Sequence, residues 1–182
     1  MSQGALENSQ ENSLHPRRKY TLSILVQNES GVLTRIAALF GRRGYNIESL
    51  AVGQSEKKGL SRMTVLCLAD QDEIEQIKKQ LEKLVDVVSV ENLNQFSFVE
   101  REMLLIKVKA DSKNRTEISQ IIDLFRARIV DVALQSLIIE VTGDQKKLRA
   151  ILQLLENFGI ESICRTGQIA LTRGNSDLMK DD

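Results

Sequence analysis

The chain has 182 residues, enough for two compact units of roughly 80 residues each rather than one small domain. Lys plus Arg and Asp plus Glu both number 25, a balance that argues against electrostatic capture of nucleic acid or anionic membrane. The longest apolar runs, such as Leu22 to Val26 and Val130 to Leu134, stop far short of the ~20 residues of a membrane span, and the N-terminus has no apolar signal core. A cytoplasmic location is expected, or a plastid-like compartment in a eukaryotic source.

Residues 1–18 are rich in Ser, Asn, Gln and Glu, hold His15 and Pro16, and show no period, which predicts a disordered tail. A strand over 19–27 then passes through Asn28-Glu29-Ser30-Gly31 into a helix over 32–43, whose stripe is read as Leu33, Ile36, Ala37 and Phe40. Strands follow over 45–54 and 61–69, joined by a turn at 55–59. A second helix over 72–85 carries Ile74, Ile77, Leu81 and Leu84, and a fourth strand from 87–90 extends as far as Val99. The order βαββαβ then recurs: a strand over 103–110, a stripe of Ile118, Ile121, Ile122 and Phe125, strands over 129–135 and 137–142, a stripe of Leu148, Ile151, Leu152, Leu155 and Phe158, and a β-like run over 160–172. Aligning Gln27 with Ala110 gives an offset of 83 and aligning Asp70 with Asp144 gives 74, so the second copy is nine residues shorter, at its hairpin.

The expected fold class is α+β: two tandem ferredoxin-like βαββαβ domains, each an antiparallel sheet with both helices on one face. Their spans are 19–98 and 99–173, between the 1–18 tail and a short tail at 174–182. The sheet face without helices predicts a partner.

The first strand-to-helix junction is the candidate binding feature. A helix N-terminus leaves its first N–H groups unpaired and carries partial positive charge, and Gly31 has no side chain to keep a carboxylate from reaching them. Against this stands the simpler reading that Asn28 and Ser30 cap the helix. Gly44 reads as a left-handed helix stop. Arg42-Arg43 and Pro16-Arg17-Arg18-Lys19 read as solvated surface, and Asp70-Gln71-Asp72-Glu73 as helix N-terminal charge. Cys67 and Cys164 lie in β-like apolar runs and read as buried core thiols. The sole His falls in the tail, and no GxSxG, P-loop, GxGxxG or metal-ligand spacing occurs, so no catalytic or metal-binding residue is assigned.

Four runs carry a resemblance: NESGVLTRIAALFGRRGYNIESLAV (28–52), LSRMTVLCLAD (60–70), QIKKQLEKLVDVVSV (76–90) and VEREMLLIKVKA (99–110). The sequence resembles, from Tyr20 to Arg173, the small regulatory subunits of acetolactate synthase (acetohydroxyacid synthase), whose N-terminal half is an ACT domain. The resemblance implies a homodimer through ACT domains that binds and activates a large catalytic subunit. That subunit would carry thiamine diphosphate, a divalent metal and FAD, with no cofactor in this chain. The complex would convert two pyruvate to 2-acetolactate, or pyruvate plus 2-oxobutanoate to 2-aceto-2-hydroxybutanoate, under feedback inhibition by valine or another branched-chain amino acid. In related ACT domains the effector lies between two copies. Carried onto this sequence, Asn28, Gly31 and Val32 supply the loop of one copy, and Asn46 and Ile47 the facing strand of the other. Backbone N–H groups and Asn amides offer a zwitterion the donors and acceptors it needs without a charged side chain, while Val32 and Ile47 supply an apolar wall. The second repeat has Ala110-Asp111-Ser112-Lys113-Asn114 at its junction and Ile129-Val130-Asp131 near the strand position. It is expected to support dimerisation or contact the catalytic subunit rather than to bind valine. The alternative is a free-standing ACT amino-acid sensor acting on transcription or translation through nucleic acid. Only seven Phe and Tyr residues, none in Leu66-Cys67-Leu68, argue against it.

Overall fold

A computed structural model describes residues 16–174 of the protein. The chain divides at Gln95/Phe96 into two units, each with its own apolar core. The first contains β1 (Arg18–Gln27), α1 (Val32–Arg42), β2 (Ile47–Gln54), β3 (Leu60–Ala69), α2 (Gln71–Leu81) and β4 (Val87–Asn92). Its strands lie in the order β2-β3-β1-β4, every pair antiparallel. Alternation along β1 turns Tyr20, Leu22, Ile24 and Val26 into the core, where they meet both helices. The stripe of α1 is displaced from the expected one. Val32, Ile36, Leu39 and Phe40 are buried, whereas Leu33 is 44% exposed and Ala37 faces outward. Both sets have helical spacing, so periodicity alone did not separate them. The other face of the sheet is mixed along its central strands: Thr21, Ser23, Leu25, Thr64 and Leu66 are buried there, and Ser23 Oγ accepts from Arg62 Nη1 at 3.2 Å.

Helix α1 stops as a Schellman turn: Gly44 takes a left-handed φ of 69°, its N–H donates to Gly41 O at 3.1 Å, and Tyr45 N–H donates to Phe40 O at 3.0 Å. Helix α2 is shorter than the expected 72–85. After Leu81 the N–H groups of Lys83 and Leu84 bond three residues back, a tight turn that leaves Val85 93% exposed. Strand β4 does not continue to Val99 either. Asn92 Oδ1 accepts from Asn94 N, and Asn94 Oδ1 accepts from Thr21 N at 2.7 Å, fixing a single 3₁₀ turn at Leu93–Gln95. Arg18 belongs to β1, with its guanidinium 4.8 Å from the Tyr20 ring centroid, and Arg17 pairs with Glu73 at 2.7 Å, so the expected tail to residue 18 is corrected at these positions. The rest of that tail, 1–15, and the C-terminal tail beyond Gly174 lie outside the described residues.

The second unit repeats the order with β5 (Phe98–Lys109), α3 (Arg115–Leu124), β6 (Arg128–Val132), β7 (Ser136–Gly143), α4 (Gln145–Glu156) and β8 (Ile160–Arg165), and adds β9 (Ile169–Thr172). Its sheet runs β6-β7-β5-β8, again antiparallel. Strand β5 starts five residues before the expected Met103 because β9 pairs with Phe98–Arg101. The β-like run over 160–172 is two strands, split where Gly167 takes φ 82°. Cys67 is fully buried but Cys164 is exposed on β8, which corrects the expectation of two core thiols. Among the described residues no helix is long and apolar enough to cross a membrane.

Candidate functional site

Strand β1 ends at Gln27, and two hydrogen bonds fix where it delivers the chain: Gln27 N–H donates to Asp86 O at 2.8 Å, and Asn28 N–H donates to Gly59 O at 2.9 Å. Asn28, Glu29 and Ser30 are exposed, and Gly31 occupies the N-cap position of α1 with φ 83° and ψ −11°. That left-handed conformation is open to glycine and costly for other residues. Val32 is 2% exposed and anchors the first turn in the core. No side chain caps α1, so neither Asn28 nor Ser30 takes the capping role that the sequence allowed.

Helices α2 and α4 differ at this point, and α3 does not. Asp70 and Glu73 form a reciprocal capping box on α2, with bonds of 2.8 and 2.9 Å, and Asp144 accepts from Lys147 N at 2.8 Å on α4. At the equivalent junction of the second unit, the Asp111 carboxylate accepts from the backbone N–H groups of Lys113 and Asn114, which lowers its pKa, and Asn114 Oδ1 accepts from Asp111 N. Arg115 Nη2 then donates to the carbonyls of Ala133, Leu134 and Ala110 at 2.7, 3.2 and 3.3 Å. The loop before α3 is therefore tied together by its own side chains, although no side chain caps α3 itself, so the helix ends of α1 and α3 are alike in lacking a side-chain acceptor and differ in the loop that leads into them.

Asn46 is exposed just before β2, and Ile47 is half-buried against the core of the first unit, paired with Cys67 on β3. Asn28, Gly31 and Val32 lie at the N-terminal end of α1, and Asn46 and Ile47 follow its C-terminal end. An eleven-residue helix, about 16 Å long, separates the two groups. One chain brings the loop residues together but does not bring the strand residues to them.

Two further residues at the loop were not singled out from the sequence. Arg35, one turn into α1, donates from Nε to Asp86 Oδ2 at 2.6 Å, and a Cβ placed on Gly31 would lie 3.1 Å from Arg35 Nη1. The Asp86 side chain is 11% exposed and that of Arg35 46%. Asp86 stands in the run KLVDV, part of the resemblance, but its reach back to α1 has no local trace in the sequence.

Comparison with known proteins bears on both units. Residues 22–89 match the family model of the AHAS small subunit-like ACT domain, and residues 101–174 match that of the small subunit of acetolactate synthase. The probable acetolactate synthase small subunit of Archaeoglobus fulgidus is 49% identical over 86% of this chain and 98% of its own length. The acetolactate synthase small subunit of Mycobacterium leprae is 48% identical over 85% and 92%. The crystal structure of the acetolactate synthase small subunit from Thermotoga maritima superimposes with a TM-score of 0.80 at 45% identity, covering 87% of this chain and 99% of that one. Identity of this order, sustained across both units, means that the chain belongs to the acetolactate synthase small subunit family, with an ACT domain in its N-terminal half.

Proposed function

We propose that this chain is the non-catalytic regulatory subunit of an acetolactate synthase: it binds and activates the catalytic subunit and confers inhibition by valine or a related branched-chain amino acid. The observation that carries the effector reading is the uncapped N-terminus of α1 behind a left-handed Gly31 and an exposed loop; α2 and α4 are capped by their own side chains, and α3, also uncapped, is preceded by a loop already bonded by Asp111 and Arg115. An amino-acid carboxylate supplies the acceptor that this helix end lacks. The thiamine diphosphate, divalent metal and FAD of the reaction belong, in this reading, to the catalytic subunit.

The strand order supports a site shared by two copies. β2 is an edge strand, and β1 and β2 run in the same direction because each pairs antiparallel with β3. If β2 pairs antiparallel with its copy about a two-fold axis, its far end meets Asn46 of the partner subunit, and β1 delivers Asn28 at that same end. Asn28, Gly31 and the backbone N–H of Val32 in one chain would then face Asn46 and Ile47 of the other, while the Val32 side chain, buried in its own core, does not supply the expected apolar wall.

The test is a valine dose-response of the complex reconstituted with its catalytic subunit, read beside its activity without valine. Asn28→Ala removes a hydrogen bond to a charged ligand, about 1.5–3 kcal/mol, and shifts the inhibition midpoint by roughly ten- to more than a hundredfold. Gly31→Asp does at least as much by placing a carboxylate where the ligand's own belongs. Both variants should still activate. Unchanged midpoints would mean a misplaced site, and parallel loss of activation would mean a structural junction.

A further inference from the structure

We infer that Arg35 is a charged anchor for the carboxylate of the bound amino acid, held in position by Asp86. The inference rests on the proposal that a branched-chain amino acid binds beside Gly31 and adds a side chain to that site. The carboxylate was expected to be received by backbone and amides alone.

The geometry points to this role in three ways. The space that a side chain on Gly31 would enter is bounded by Arg35 Nη1, 3.1 Å from the ideal Cβ position, so a ligand lying over Gly31 meets a guanidinium donor there. Arg35 Nε is engaged by Asp86 Oδ2 at 2.6 Å. Nε–H and Nη1 belong to different edges of the planar guanidinium, so the bond to Asp86 fixes the plane without using the donor that faces Gly31. Asp86 is itself tied to the loop, since its carbonyl accepts from Gln27 N–H at 2.8 Å at the end of β1. The guanidinium is thus held by the residue that positions the loop, and α1 supplies both the backbone donors and the cation.

Charge makes the arrangement specific for an acid. With Asp86 as counter-ion, Arg35 is neutralised when no ligand is bound, and its half-exposed side chain keeps water on the remaining donors. A carboxylate arriving at the helix end replaces that water with charge-assisted hydrogen bonds from Nη1 and the first-turn N–H groups. A carboxamide of the same shape has no charge to offer either. Arg35 should therefore separate an amino acid from its amide, which a structural ion pair has no reason to do.

The experiment is calorimetric titration of the full-length chain with L-valine and with L-valinamide. Wild type should bind valine at least tenfold more tightly than valinamide. Arg35→Gln should lose tenfold or more in valine affinity and stay within about twofold for valinamide, collapsing the preference. Arg35→Ala removes the same charge with a different shape and carries the test if Arg35→Gln does not fold, and Arg35→Lys should restore part of the preference. Equal loss for both ligands in the charge-removing variants would assign Arg35 a structural role and overturn the inference, as would an unchanged preference. Binding of neither ligand by wild type would overturn the underlying proposal and the inference with it, an outcome separate from wild-type binding that ignores Arg35.

Discussion

Cys67 and Cys164 have the same side chain and opposite environments. Burial pushes the Cys67 thiol up to about 11, whereas Cys164 stands exposed on β8. A thiolate-selective reagent at pH 8 should modify one thiol per folded chain, at Cys164, and reach Cys67 only on unfolding. Two thiols reacting at the same rate in the native protein would contradict the buried position. The same shift has a consequence for stability. The folded pKa lies above the ordinary thiol value of 9.0, so the contribution of Cys67 is fully present below pH 9 and is lost as pH rises toward about 11. Its size is at most about 2.7 kcal/mol, from ~1.36 kcal/mol per unit of pKa. Urea unfolding of wild type and Cys67→Ala at pH 8 and pH 10.5 should show a steeper alkaline loss in wild type.

Among the elements, α2 shows what a closed helix end is worth beside the open one of α1. Asp70→Ala removes a capping box and should lower the stability of the first unit by about 1 kcal/mol, within a range of roughly 0.5–2, with no change in valine response. Urea midpoints and inhibition midpoints measured on the same preparation check both halves of that statement. The order of these elements was legible in the sequence because every helix carries an apolar stripe and the strands carry β-branched and aliphatic runs. Their ends were less so. The break after β4 depends on Asn94 reaching Thr21, and the early start of β5 depends on pairing with β9, contacts between positions about seventy residues apart in sequence. Gly31 declared itself through its residue type and place. Arg35 did not, since its partner Asp86 is 51 positions away and an arginine on an exposed helix face looks like ordinary solvated surface. Cys164 was misread because apolar neighbours in a strand do not say which face a helix covers.

At the scale of the whole molecule, the proposed site divides its residues between the two ends of α1, so a single chain offers half of it. A ligand held by two chains binds the dimer and not the separated subunits, and mass action then couples ligand to assembly. At valine concentrations a hundredfold above its dissociation constant, each occupied site stabilises the dimer by about 2.7 kcal/mol. Two symmetric sites would together tighten subunit association by roughly four orders of magnitude. Sedimentation equilibrium of the isolated chain across a dilution series should therefore show a dimer that persists to much lower concentration with valine than without it. Reciprocally, the apparent valine affinity should fall on dilution into the range where dimers dissociate. Replacing Asn46 should weaken both effects, although Asn46 lies far from Asn28 in its own chain. Valine affinity independent of protein concentration, down to stable monomers, would require a complete site within one chain, and the separation of Asn28 from Asn46 along α1 leaves no such site among these five residues.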